Sequence, residues 1–369
     1  MHIVEFSAGT LRFIDSVPAQ APADGFIWIY LERETLDAHS ATLQHAAQSL
    51  GGSPLLDLHL KDLGNRAHPS HYDYTSVYDL VIFRRLATEA EVRAELDTEG
   101  HSGESSGGSL AGFGRIRTRA VGFVVFDRLL ITVHPSGCFA ANAFIQRYLS
   151  DAVHTEGLNA AARSRLPAGT ADLMLRMLNM MVDGYLELRK DLGGALDEWQ
   201  QMLLGARAHK ADWGGLMAAR GALHMLEDLC EEQHDAMQEW LDAQREQPAP
   251  WMTQAERDSL LARARDVIEH IERVVHHVRR MEQSAETAVQ IHFSALSHRT
   301  NEIMRLLTAL TAVFLPLNFI TGFFGMNFEF LPLIHSTTAM WVMLALMALV
   351  GISSVLVFWR KRYLDRTGR

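Results

Sequence analysis

Two uncharged apolar runs, residues 306–324 and 339–359, stand out in the last quarter of the chain. As a helix each run, about 20 residues long, spans a ~30 Å hydrocarbon layer. The stretch between them is too short to be a domain, so the runs predict a helical hairpin of two membrane spans; the alternative is a pair of buried core helices. Upstream, Thr253 followed by Glu256 reads as a helix N-cap with a capping box. No Pro or Gly then occurs until Pro316, which predicts one helix of on the order of 95 Å. Such a helix cannot stand alone in water. It is expected to pack along two preceding helical segments, 171–205 and 208–245, and along copies of itself. The second of these segments is closed by Gln247-Pro248-Ala249-Pro250.

Residues 1–150 alternate instead between short β-branched or aromatic runs and helical ones. Strands are predicted at 25–31, 77–83, 121–126 and 129–133, and helices at 35–50 and 142–151. The Gly/Ser-rich segment 97–112 reads as a flexible loop. The expectation is an α+β/α membrane protein. It comprises an N-terminal cytoplasmic α/β domain (1–168), long stalk helices in a cytoplasmic helical domain (169–300) and a first transmembrane helix (301–325). An outer loop (326–338), a second transmembrane helix (339–360) and a basic tail (361–369) complete it.

Charge sets the orientation. The second span ends in Trp359-Arg360-Lys361-Arg362-Tyr363, whereas the connecting loop carries only Glu329; the Lys/Arg excess marks the cytoplasmic side. Two crossings return the chain to that side, so both termini are expected in the cytoplasm. The start, MHIVEFSAGTLRF, lacks the basic region and long apolar core of a signal peptide. Cys138 and Cys230 show no metal spacing and read as packed residues in a reducing compartment. The net charge of −10 disfavours nucleic-acid binding, which needs a basic face.

The first span carries the most informative spacing. Asn301, Met304, Thr308, Thr311, Leu315, Asn318 and Gly322 recur in steps of three and four and share one helix face. Amides and hydroxyls in hydrocarbon are costly, so this stripe must face protein or water. Threonine hydroxyls can instead bond back to the helix's own carbonyls. Two helices cannot enclose an aqueous path, so a path along the stripe requires several copies, with the first span inside and the second outside. Pro316 frees a carbonyl about one turn earlier, either as a simple kink or exposed to pore water.

Beyond this helix stand Gly325, Met326 and Asn327, with Glu329 in the outer loop. Gly325 lets the backbone leave the helix, and Asn327 places an amide at the mouth. Magnesium holds its water tightly. Neutral oxygens can grip that shell by hydrogen bonds, and the ion must be able to leave again.

Phe324-Gly325-Met326-Asn327-Phe328, a short loop, a last span and a Lys/Arg tail resemble the CorA family of divalent-cation channels. The likeness extends through residues 301–304, 314–317 and 265–270, and less specifically to residues 60–63 and 67–69. The resemblance implies a homopentamer in the bacterial inner membrane, a funnel-shaped cytoplasmic assembly and a pore lined by five copies of the first span. By the same resemblance, Asn327 forms the outer ring, and Met304, Leu307 and Leu315 form the hydrophobic constriction. Asp62 and Asp266 would bind regulatory magnesium between neighbouring copies, with Asp183 and His270 near a secondary site. No covalent cofactor is implied; magnesium is the transported and regulatory ion, with cobalt or nickel as further cargo.

Three departures bear on these roles. Asn318 stands where many members carry a pore threonine, Lys61 occupies a position usually acidic, and Gln290 replaces an acidic stalk residue. A zinc-transporting branch, ZntB, resembles the same fold but usually differs at the middle residue of the Gly-X-Asn motif, so Met326 favours magnesium. The 18 histidines form no closed ligand set in sequence. A non-conducting membrane-anchored metal sensor is the reading from another class. An enzyme is not expected, since there is neither a phosphate-binding glycine loop nor a nucleophile–base constellation.

Overall fold

The computed structural model describes residues 1–7, 10–88, 91–92, 113, 116–146, 166–204, 213–247, 252–326 and 337–360. It divides into two compact units, Met1–Glu286 and Thr287–Arg369. The Gly/Ser-rich segment 97–112, Asn327, Glu329 and the basic tail lie outside the described residues.

The first unit is built on a seven-stranded mixed sheet. Its strands are β1 (His2–Ser7), β2 (Thr10–Ile14), β3 (Gly25–Glu32), β4 (His71–Tyr74), β5 (Asp79–Leu86), β6 (Thr118–Val125) and β7 (Leu129–His134). The order is β2-β1-β3-β7-β6-β5-β4. Only β3 and β7 pair in parallel, with Ile27 opposite Leu129; the other neighbours are antiparallel. The interior strand β3 is buried on both faces, which explains its continuous apolar run.

On one face Ile27, Ile29 and Leu31 pack with Leu36 and Leu43 of α1 (Leu36–Ala46) and Leu63 of α2 (Asp57–Gly64). On the other, Trp28 meets Phe144 of α3 (Phe139–Phe144) edge-on at 6.5 Å. Two long helices cover the same sheet: α4 (Thr170–Leu204) lies against β5, β6 and β7, and α5 (Trp213–Glu246) against β4 and β5. Buried polar bonds pin them. Tyr185 donates to the Arg84 carbonyl, Gln233 to that carbonyl and to the Tyr185 hydroxyl, and Trp240 and Gln244 to the Asp79 carboxylate.

The strands expected at 77–83 and 121–126 begin two and three residues away from where they form. The helix expected at 35–50 divides into a 3-10 turn, α1 and a terminal π-turn at Ala47–Gly51 that ends on left-handed Gly52. The helix expected at 142–151 starts earlier, at Phe139, because Gly137 and Cys138 take positive φ and turn the chain into it.

The long helix α6 (Gln254–Phe324) is a single element of 71 residues. Its capping box forms as expected: the Glu256 carboxylate accepts from the Thr253 N–H at 2.9 Å, and Thr253 Oγ1 accepts from the Glu256 N–H at 3.3 Å. Within the first unit α6 buries Ala264, Val267, Ile271, Val274, Val278, Met281 and Ala285, a stripe at steps of three and four. Gln200 of α4 crosses to Ser284 at 2.8 Å.

The second unit holds the rest of α6 and α7 (Thr337–Arg360). From 293 to 308 α6 is exposed on every side, including Phe293, Ile303 and Leu307. The apolar windows of α6 and α7 are only 6% and 0% buried. Core helices would be buried, so the core-helix alternative fails and the two spans are membrane candidates.

Candidate functional site

Along the first span, burial separates two faces. Ala309 is buried and Val313, Pro316, Leu317 and Ile320 are half-buried. On α7 the half-buried positions are Met343, Met347, Val350, Gly351 and Ser354, again one helical line. A Cβ added to Gly351 would stand 4.0 Å from Leu317 Cδ1, an ordinary contact. The two spans therefore pack along these lines. The stripe marked from the sequence lies on the opposite side of α6: Asn301, Met304, Thr308, Thr311, Leu315, Asn318 and Gly322 are all exposed, as is Leu307.

The stripe's hydroxyls are internally satisfied. Thr308 Oγ1 donates to the Met304 carbonyl at 2.7 Å and Thr311 Oγ1 to the Leu307 carbonyl at 2.8 Å. Its amides are not. Among the described residues, the side chains of Asn301 and Asn318 have no hydrogen-bond partner.

Gly325 closes the helix, its N–H donating to the Thr321 carbonyl at 2.9 Å. A Cβ there would sit 2.9 Å from that same carbonyl oxygen, so any side chain would push the turn open. Met326 follows, exposed. The structure thus supplies a reason for glycine where the chain leaves the helix.

The acidic residues fall into two clusters. Asp62 lies in the last turn of α2, whose seating on the sheet depends on close approach: a Cβ on Gly122 would come within 2.2 Å of Leu63 Cδ2. Arg33, buried beside it, donates to the carbonyls of Leu63 and Ala120 at 3.0 and 2.6 Å and fixes the end of α2. Asp62 faces His68 at 3.6 Å, and Lys61 is exposed.

The second cluster gathers on α4 and α6, where His270 stands between Asp183 at 3.8 Å and Asp266 at 3.6 Å. These separations are beyond hydrogen-bond range. Among the described residues no three His, Cys, Asp or Glu side chains assemble a metal site. One copy thus offers two partial donor sets, Asp62 with His68 and Asp266 with His270 and Asp183.

His68, within the 67–69 stretch of the resemblance, stands opposite Asp62. The fold also places a residue the sequence did not mark. His59 is buried between Tyr78 Oη at 2.8 Å and Asp73 at 3.1 Å. A cleft of about 1060 Å³ opens at one end of the sheet, with Asp79, Phe126 and Arg263 on its wall, but it contains none of the candidate pore or metal residues. His134 is fully buried, bonded to Thr132 Oγ1 at 2.8 Å and held near a pKa of about 3 by desolvation; it is a neutral core residue. Burial pushes the thiols of Cys138 and Cys230 up to about 12, which leaves them inert.

The family described as "CorA-like Mg2+ transporter protein" matches residues 23–362. The chain belongs to it. Membership places the protein among membrane transporters and not among enzymes. The cobalt/magnesium transport protein CorA of Thermotoga maritima is 33% identical over 100 residues, 27% of this chain and 28% of that relative. The protein of the same description from Methanocaldococcus jannaschii is 22% identical over 249 residues, 68% of this chain and 73% of the relative. The complete structure of the CorA magnesium transporter from M. jannaschii shares the fold, with a TM-score of 0.71 at 18% identity, covering 100% of this chain and 98% of that one. The ZntB cytoplasmic domain of Vibrio parahaemolyticus has a TM-score of 0.54 at 12% identity, covering 81% of this chain and 98% of that domain.

Proposed function

We propose that this chain is a homopentameric channel of the bacterial inner membrane, with both termini cytoplasmic, that conducts divalent cations and above all magnesium. The observation that carries the reading is the separation of faces on the first span. The side of α6 opposite α7 bears the amides and back-bonded hydroxyls, and none of the described residues covers it. A polar stripe at membrane depth needs water or another copy. Several copies arranged around an axis supply both.

In this reading the permeating ion keeps its first water shell. Asn327 presents amide oxygens to those waters at the outer mouth, on a turn that Gly325 permits and Met326 completes, with Glu329 nearby to raise the local cation concentration. Met304, Leu307 and Leu315 form an apolar constriction that closes by excluding water. Asp62 and Asp266 of adjacent copies share a regulatory cation, with Asp183 and His270 beside it.

The decisive variant is Asn327→Ala, assayed for magnesium uptake into proteoliposomes with zinc and cobalt in parallel. Loss of uptake with the oligomer intact is expected; unchanged flux would overturn the role of the mouth. Zinc flux that depends on a proton gradient, with magnesium excluded, would instead favour a ZntB-like transporter.

A further inference from the structure

Helix α2, which carries Lys61 and Asp62, is too short to seat itself by an apolar stripe. Of its eight residues only His59 and Leu63 are buried, so polar bonds share in setting its angle on the sheet. At its end Arg33 donates to the Leu63 carbonyl at 3.0 Å. At its start Leu56 holds the N-cap with no polar side chain to offer, and its N–H donates to Tyr78 Oη at 3.0 Å. In between lies His59, only 2% exposed. Its Nδ1 stands 2.8 Å from the same Tyr78 hydroxyl and its Nε2 3.1 Å from Asp73 Oδ2.

One arrangement of hydrogens satisfies all of these contacts. Tyr78 Oη accepts from Leu56, its own hydrogen goes to His59 Nδ1, and the imidazole hydrogen sits on Nε2 and goes to Asp73. The other tautomer sets a bare nitrogen against a carboxylate and turns an N–H against the tyrosine hydrogen. Asp73 is itself held, since its second oxygen accepts from the Tyr74 N–H at 2.7 Å. The chain Tyr78–His59–Asp73 thus ties α2 to β4 and to the head of β5. Asp62 follows His59 by three residues, about 4.5 Å further along the helix.

We propose that His59 is a positioning residue for the Asp62 half-site: through Tyr78 and Asp73 it fixes the rotation of α2, and with it the place at which Lys61 and Asp62 meet a cation shared with a second copy. The proposal rests on the regulatory reading of Asp62 given above. A loosened α2 spreads Asp62 over several positions, and a cation must then order the helix as it binds, at a cost in affinity. His68, which faces Asp62 at 3.6 Å, hangs from a different support, the Arg84 guanidinium, which donates to the His68 carbonyl at 3.0 Å. The two sides of the half-site are therefore held separately, and loss of the His59 chain moves one against the other.

The test titrates cytoplasmic-side magnesium against flux in proteoliposomes of the full chain, comparing the unaltered protein with Tyr78→Phe, His59→Phe and Asp62→Asn. Tyr78→Phe is the mild variant: its ring keeps its packing on Phe126, 4.8 Å between centroids, and loses only the hydroxyl. Tyr78→Phe and His59→Phe are expected to raise the magnesium concentration that half-inhibits flux about three- to tenfold, the range one hydrogen bond covers, with maximal flux retained. An unchanged midpoint in both variants overturns the proposal. So does a fall in melting temperature and maximal flux with the midpoint in place, which makes the chain a support of the fold only. Asp62→Asn separates the two readings. If it abolishes inhibition while Tyr78→Phe and His59→Phe shift nothing, the regulatory site stands and the positioning role falls; if it leaves inhibition unchanged, both fall.

Discussion

Asp79 shows how much a single side chain can carry in this fold. Its carboxylate accepts from Tyr72 Oη at 3.3 Å, Trp240 Nε1 at 3.2 Å and Gln244 Nε2 at 2.9 Å, joining the sheet to the C-terminal end of α5. Burial nevertheless raises its pKa from 3.8 to about 6, outweighing the three donors, and Asp127 adds to the rise. With a folded value above the unfolded one, its contribution is complete below about 3.8 and is lost as pH rises through about 6. Between pH 5 and 7.5 this amounts to about 1–2 kcal/mol. Asp79→Asn removes the charge but keeps an acceptor. Its melting temperature should fall less over that interval than that of the unaltered protein, by a few degrees. Parallel declines would show that Asp79 ionises without cost.

Among the elements, the first span makes the sharpest prediction. In a background lacking Cys138 and Cys230, single cysteines at Thr311 and Asn318 should react with a small water-soluble thiol reagent. Cysteines at Leu310 and Leu317 should not, Leu317 because it is half-buried along the line that meets Gly351. Equal labelling of both pairs would refute the assignment of faces. These faces were readable because a helix repeats every 3.6 residues and the span is long enough to show the repeat several times. The same holds for β3, β5, β6 and β7, whose apolar runs stand out. Short elements carry too little pattern. β4 has four residues, two of them Tyr, and α2 has eight with only His59 and Leu63 buried, one of them polar. Their positions come from partners distant in sequence, namely Gly122 under Leu63, Arg33 on the Leu63 carbonyl, and Tyr78 with Asp73 around His59. For that reason Asp62 and His68 could be marked only by resemblance, and their pairing was not foreseen.

At the scale of the assembled molecule, residues 293–308 of α6 expose Phe293, Leu296, Ile303, Leu306 and Leu307 with none of the described residues covering them, which a pentamer would remedy. In the proposed assembly Asp62 and Asp266 would come from different copies, and their like charges would repel when a shared cation leaves. Lys61, exposed next to Asp62, offsets part of that repulsion. Inhibition by cytoplasmic-side magnesium is therefore expected to be weak, and Lys61→Glu should strengthen it. The measurements are vesicle flux and protection from limited proteolysis, each titrated with magnesium. Coincident curves for the two proteins would mean that Lys61 does not act on this interface. The back-bonded threonines have a mechanical consequence as well. Each shares a carbonyl with the helix ladder, and Pro316 removes a donor among them. Shared and missing bonds lower the bending stiffness of a helix. The first span is therefore a spring rather than a strut, able to flex with the thickness of the bilayer around it while the long helical segment before it, free of Pro and Gly, stays stiff.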